Sequence, residues 1–308
     1  MSTLFSHFSE KINQISPLEH EFTEVLSTIA VMPKTLYFYG KIPENMLKNG
    51  KKSRPKTVAI VGSRHNTKYG EEIAYKLGYE LAKHGVIVIS GLAYGIDSIG
   101  HRAALDAGGK TIAVLGTPIN EIYPRNHQSL ASEIIEKGGA IISEYAPGAK
   151  VYPKISFLER NRIISGLSDA VVVVEAAERS GSLNTATHGL EQGKDIFAVP
   201  GNITNPYSRG CNKLIRQGAI PYTEPDDVLR ELFPDEYLKK RRELQKSALI
   251  GDNDVETFIL TAVAAGIKNS DEIMAYAKLP PEVFSQSAML LEIKGRIRSI
   301  GANNWALC

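Results

Sequence analysis

Six short apolar runs, at residues 58–61, 86–90, 111–115, 140–143, 170–175 and 196–199, recur between amphipathic stretches. This recurrence constrains the fold more than any other feature of the sequence. Each run is rich in β-branched residues and lacks the alternation of a half-buried strand. Runs of this kind fit strands covered on both faces, and helical segments between them fit parallel connections. The expectation is an α/β fold with a Rossmann-like, doubly wound, mostly parallel sheet. Between the first two runs Ile73, Leu77 and Leu81 fall four residues apart, which predicts a helix over 69–84 stopped by Gly85. Similar helices are predicted over 96–107, 129–137 and 183–192. Ahead of the sheet, 22–29 reads as a helix, 36–39 as a strand, and 48–56 as a basic, solvated loop.

The chain is long enough for more than one domain: 308 residues, 43% of them hydrophobic. After Asp227 the composition turns charged, with Lys239, Lys240, Arg241 and Arg242 in succession, a pattern that marks a solvated linker. Residues 1–55 are therefore read as an extension leading into the main domain, 56–233 as that domain, 234–251 as linker and 252–308 as a small winged-helix domain. The tail predicts a helix over 255–264 and a second short one capped by Ser270 or Asp271. A longer helix over 281–294 and two short strands around Gly301 complete it. Its acids, Asp252, Asp254, Glu256, Asp271, Glu272, Glu282 and Glu292, outnumber its bases, Lys268, Lys278, Lys294, Arg296 and Arg298. This charge favours protein contact over DNA contact for the tail.

Lysine and arginine total 36 against 34 acids, a net charge of +2, so any surface for a polyanion must be local. The two cysteines, Cys211 and Cys308, are too far apart to suggest a disulfide framework or a metal site, and no metal is expected. Residues 1–16 lack the apolar core of a secretion signal. The most apolar stretch, 170–177, is interrupted by Glu175, so no membrane span is expected and a cytoplasmic location is.

Three loops follow predicted strands at one edge of the sheet, where open α/β sheets bind ligands. The first is Gly62-Ser63-Arg64, ahead of a helix start. Its glycine permits close backbone approach, the helix start offers unpaired N–H groups, and the arginine is a forked cation, a set suited to phosphate. The second, residues 90–97, lacks the spacing of a dinucleotide fingerprint. Asp97 and His101 lie four residues apart there, a spacing at which they could pair on a helix as a proton-transfer or metal couple, but they are read as holding the turn because a third partner is lacking. The third, Ser180-Gly181-Ser182 with Thr185, is a phosphate-type helix start or a plain N-cap. The densest cluster, Lys154, Phe157, Arg160, Asn161 and Arg162, joins cations to one aromatic ring, as single-stranded nucleic acid requires. For Arg160 and Arg162 two readings stay open: ligand contact, or internal bracing of Glu144 or Glu175.

These motifs resemble the DNA-processing protein A (DprA/Smf) family in order and spacing: VGSR at 61–64, SGLAYGID at 90–97, SEY at 143–145, RNRIISGLSDAVVVVEA at 160–176, SGSLNTA at 180–186 and AVPGN at 198–202. The resemblance runs from Pro33 to about Leu232, and the tail is similar to the family's optional winged helix. Leu158 stands where the family usually carries proline. The resemblance implies binding and protection of single-stranded DNA during natural transformation, loading of the RecA recombinase, a homodimer, and no cofactor. It implies DNA contacts by Gly62, Ser63, Arg64, Lys154, Phe157, Arg160, Asn161, Arg162, Ser180, Gly181, Ser182 and Thr185. Two other classes use this general fold: a Rossmann-type nucleotide sensor, which would use the same phosphate-binding loops without chemistry and stays open, and a phosphoribohydrolase-like enzyme, which would need a glutamate in a PGGxGTxxE-like loop. Residues 180–188 carry no acid, so no enzymatic activity is expected.

Overall fold

The computed structural model describes residues 11–48, 51–235, 237 and 249–307, and the chain divides into two compact units, Met1–Leu232 and Phe233–Cys308. The first is built on β1 (Asn13–Ile15), β2 (Leu36–Gly40), a separate β3–β4 hairpin (Met46–Lys48, Lys51–Ser53), β5 (Thr57–Val61), β6 (Ile87–Ser90), β7 (Thr111–Leu115), β8 (Ala140–Ser143), β9 (Ala170–Val173), β10 (Asp195–Ala198) and β11 (Ile220–Pro221). One nine-stranded sheet runs in the order β1-β2-β8-β7-β6-β5-β9-β10-β11. Every pairing from β8 to β11 is parallel, and β1 and β2 pair antiparallel.

Helices α1 (Lys68–Lys83), α2 (Ile96–Asp106) and α3 (Gln128–Glu136) cover one face. The other carries α4 (Pro153–Leu167), α5 (Gly181–Glu191) and α6 (Arg209–Arg216), and α7 (Pro225–Leu232) packs on α1. All five residues of β5 are buried, as a strand between two helical layers requires. Of the predicted α1 stripe, Leu77 and Leu81 are buried. Thr67 caps α1 by accepting from the Gly70 N–H, and Glu175, 1% exposed, accepts from the Thr67 N–H (2.8 Å) and hydroxyl (2.6 Å). Glu175 thus fastens α1 to the end of β9 instead of pairing with an arginine.

Residues 22–29 do not form the expected α-helix. They contain a 3-10 turn, Glu24–Thr28, and the hydroxyls of Thr23 and Thr28 donate to the carbonyls of Pro17 and Val25. Such local bonds compete with α-helical pairing, and the β-branched content adds to the bias. Phe22, Leu26 and Ile29 still enter the core beside Ile163 and Leu167. The stretch expected to lead into the main domain thereby supplies two strands of its sheet and part of its core.

The second unit contains α8 (Asp254–Ala264), α9 (Ser270–Ala277), α10 (Pro281–Ile293) and an antiparallel hairpin, β12 (Ile297–Gly301) with β13 (Asn304–Leu307). Its own core joins Ile259, Leu260, Ile273, Phe284, Leu291 and Ile297. The cap of α9 is Asn269, which accepts from the Asp271 N–H, one residue before the expected position. The four basic residues of the expected linker, at 239–242, lie outside the described residues. Among the described residues no helix is long and apolar enough to cross a membrane.

Candidate nucleic-acid interface

From β5 the chain builds outward through β6, β7 and β8, then α4 carries it back so that β9 pairs with the opposite edge of β5. The strand order reverses there, and the loops leaving the carboxyl ends of β5 and β9 part to open a crevice. A pocket of about 310 Å³ occupies it, lined by Gly62, Ser63 and Arg64 from the β5 loop, by Phe157, Arg160 and Asn161 from α4, and by Ser180, Gly181, Ser182 and Thr185 from the start of α5. Ten of the twelve expected contact residues therefore meet in one place.

Each wall has a local cause. Gly62 lies so close to α2 that a Cβ there would fall 2.6 Å from the Ile96 side chain. The Ser180 hydroxyl accepts from the Ser182 N–H and lies 2.8 Å from the Ser182 hydroxyl, so α5 begins in the pocket wall with its positive dipole end toward the cavity. Asn161 donates to the Gly181 carbonyl (3.3 Å) and to Asn184 Oδ1 (3.1 Å), tying α4 to that loop. The Arg64 guanidinium is exposed, 5.6 Å from the centre of the half-buried Phe157 ring, within cation–π range.

Arg160 lines the pocket and braces neither Glu144 nor Glu175. It is buried, and Nη1 donates to the Gly91 carbonyl at 2.8 Å and to the Val114 carbonyl, while Nε donates to Asn161 Oδ1 at 3.2 Å. It locks α4 across the ends of β6 and β7, and a Cβ on Gly91 would fall 2.5 Å from its guanidinium. Burial pushes the Arg160 pKa down to about 10, with the nearby Asp97 carboxylate opposing this and Arg64 adding to it. Asp97 is buried too; burial raises its pKa, against Arg160 and the Gly91 N–H that it accepts at 3.1 Å.

Asp97 and His101 do not pair with each other. His101 lies 2.7 Å from the Thr111 hydroxyl, and burial holds its pKa down to about 3, so it stays neutral. Among the described residues no cluster of His, Cys, Asp or Glu is arranged to hold a metal ion.

Two expected residues stand outside the pocket. Arg162 is two positions beyond Arg160, which on a helix turns it to the other side, and its Nη2 donates to both Glu144 carboxylate oxygens at 2.6 Å. Arg162 thus braces Glu144, one of the two readings its sequence position left open. Lys154 is exposed in the first turn of α4, one turn before Phe157. A cation there opposes the helix dipole, and a bound anion would relieve this. The 200–202 turn does not line the pocket, but Tyr207 does. The sequence reading also missed Tyr123, whose ring centre lies 5.5 Å from that of Phe157. An aromatic residue in the loop after a parallel strand was the signal available for it.

The profile of one protein family, described as DNA recombination-mediator protein A, matches residues 13–233. Protein Smf of Escherichia coli K12 is 51% identical over 179 residues, 57% of this chain and 46% of its own length. DNA processing protein DprA of Bacillus subtilis is 39% identical over 74% of each chain. Among solved structures, DNA processing protein A from Streptococcus pneumoniae aligns with a TM-score of 0.61 at 38% identity, covering 72% of this chain and 75% of that one. A structure described as revealing the single-stranded DNA binding mode of DNA processing protein A from Helicobacter pylori aligns with a TM-score of 0.63 at 29% identity, over 74% of this chain and 98% of that one.

Proposed function

Because this chain belongs to the family of DNA recombination-mediator protein A, the DprA/Smf proteins, we propose that it binds single-stranded DNA in the pocket between β5 and β9 and acts as a recombination mediator in natural transformation. The observation that carries this reading is the joining, in one crevice, of an exposed arginine, a half-buried aromatic ring and a helix start. Backbone phosphates call for the first and third, and an unpaired base for the second. A recessed ring is reached by a base only when that base is out of a duplex stack. Lys154 and Arg64 supply the free charge, Phe157 the stacking face, and Ser180, Gly181 and Ser182 the phosphate donors. Arg160 and Asn161 hold these walls in register.

On this reading the protein works in the cytosol as a homodimer, shields incoming strands and passes them to the RecA recombinase. It does so by binding and not by catalysis, in keeping with the absence of an acid from residues 180–188. The second unit is a winged helix that contacts protein. A gel-shift comparison of single-stranded and duplex DNA at two salt concentrations tests the first step. Single strands should bind more tightly, with affinity falling steeply as salt rises. Equal or tighter binding of duplex would overturn the proposal. Adding RecA and following filament nucleation tests the second step.

A further inference from the structure

The pocket is not the whole of the aromatic surface at this end of the sheet. Tyr94, in the turn after β6, and Tyr123, in the loop after β7, are 43% and 49% exposed although both are large rings. Tyr94 stands edge-on to His127, with ring centres 5.0 Å apart, and Tyr123 is tilted 45° to Phe157 at 5.5 Å. Both tyrosines, with Arg64, Phe157 and Arg160, border a second cleft adjoining the pocket. That cleft encloses only about 10 Å³, room for a water molecule and far too little for a base. Any base using these rings must therefore lie on their outer faces.

The order of the loops gives the surface a direction. β9, β5, β6 and β7 are neighbours in the sheet, so the loops at their carboxyl ends follow one another along a single edge. Strand spacing puts the β7 loop roughly 10 Å from the β5 loop, a span that a few linked nucleotides cross. Arg125, two residues past Tyr123, is exposed and brings a cation to the same loop.

We propose that Tyr123 and Tyr94 form a second base-stacking subsite, so that a single strand seated in the pocket continues over Phe157 and across the ends of β6 and β7. This rests on the reading of the pocket as a single-strand site. The two tyrosines then set how many nucleotides one protein molecule covers, while Arg64 and Phe157 set whether it binds at all.

The test is fluorescence anisotropy of the full chain with labelled oligothymidylates of stepwise increasing length. For the unaltered protein, affinity should rise once when the pocket is filled and again when the strand reaches the tyrosines. Tyr123→Ala should abolish the second rise, weakening long oligonucleotides about tenfold while leaving the shortest bound oligonucleotide unchanged, and Tyr94→Ala should do the same to a smaller degree. Tyr123→Phe should bind every length as the parent does, because the ring face and not the hydroxyl stacks. Parental binding of long oligonucleotides by both alanine variants would overturn the proposal. So would equal weakening at all lengths by Tyr123→Ala, since Tyr123 would then act only by holding Phe157. Arg64→Ala separates the two readings: if it binds every length like the parent, the pocket assignment itself fails.

Discussion

In the first unit Arg64 and Lys154 stand exposed at a strand end and a helix start, and among the described residues neither has a carboxylate partner. In the second unit Lys294 is held by Asp252 at 2.7 Å and by both oxygens of Glu256 at 2.8 and 3.0 Å. The Lys294 ammonium keeps the Asp252 carboxyl below its ordinary range, and the two carboxylates raise Lys294 in return. α10, the longest helix among the described residues of that unit, carries Glu282 and Glu292 and neither lysine nor arginine. Near-equal totals of acid and base thus hide local differences: unspent positive charge beside a ring in the first unit, and in the second a lysine held by two carboxylates. The contrast teaches that net charge was the wrong scale on which to look for a polyanion.

The largest effect that would sharpen this contrast lies inside the first unit. Arg160→Ala strips the donor from the Gly91 and Val114 carbonyls and leaves Asp97 without its nearby cation. It should cost about 3–5 kcal/mol and lower the first unit's melting temperature on the order of ten degrees. Scanning calorimetry should show the second unit's transition unmoved, and a joint shift would mean the two units do not melt independently.

Next comes acid. The folded pKa of His101, about 3, lies below the unfolded value of 6.5, so the unfolded chain takes the proton first. Stability of the first unit should fall as pH drops below about 6.5, by about 1.4 kcal/mol per pH unit at most, and level off near 3. Residues 249–307 contain no histidine, so the second unit should not follow it over the upper part of that window. Urea midpoints of the parent and His101→Gln between pH 7 and 5 isolate the effect, because Asp97 is common to both. An unchanged slope in the variant would show that His101 does not carry it.

Within the pocket, Phe157→Ala should weaken single-strand binding by roughly one to two orders of magnitude with the salt slope unchanged, from about 1–3 kcal/mol per lost stack. Lys154→Ala should weaken it less and reduce the slope by about 0.7. Titrations at three salt concentrations, with melting curves, distinguish the two. If Phe157→Ala lost binding only in proportion to lost folding, the ring would belong to the core. The smallest effect expected is that of deleting 249–308: affinity within a few-fold of the whole chain. Abolished binding by a truncated protein that still melts normally would reverse the comparison between the units.

The sheet was legible because strands buried on both faces must be apolar almost throughout: 58–61 is wholly so, and 111–115 and 140–143 are but for Thr111 and Ser143, whose buried hydroxyls are hydrogen-bonded. β1 and β11 were not, since an edge strand of two or three residues leaves no such run. The pocket's loops could be read from glycine and hydroxyl residues after strands. The roles of Arg160 and Arg162 could not, because helical phase alone separates a side chain facing the β6 and β7 carbonyls from one facing Glu144. Bracing by Glu144 was foreseen, but Glu175 serves the Thr67 cap, a partner more than a hundred residues away that no local pattern discloses.

The pairing of β5 with β9 also has a meaning in time. A ribosome releases Arg64 long before Ser180, and at roughly 5–20 residues per second the interval is on the order of ten seconds. During it β5 has only one of its two neighbours, the crossover helix has not docked, and the crevice has a single wall. If the pocket holds the strand as proposed, a half-made chain should hold none, and capture should begin only when the domain is nearly complete. Chains stalled at residue 170 should fail to retain a labelled oligonucleotide that chains stalled beyond residue 280, with the whole first unit clear of the exit tunnel, hold fast.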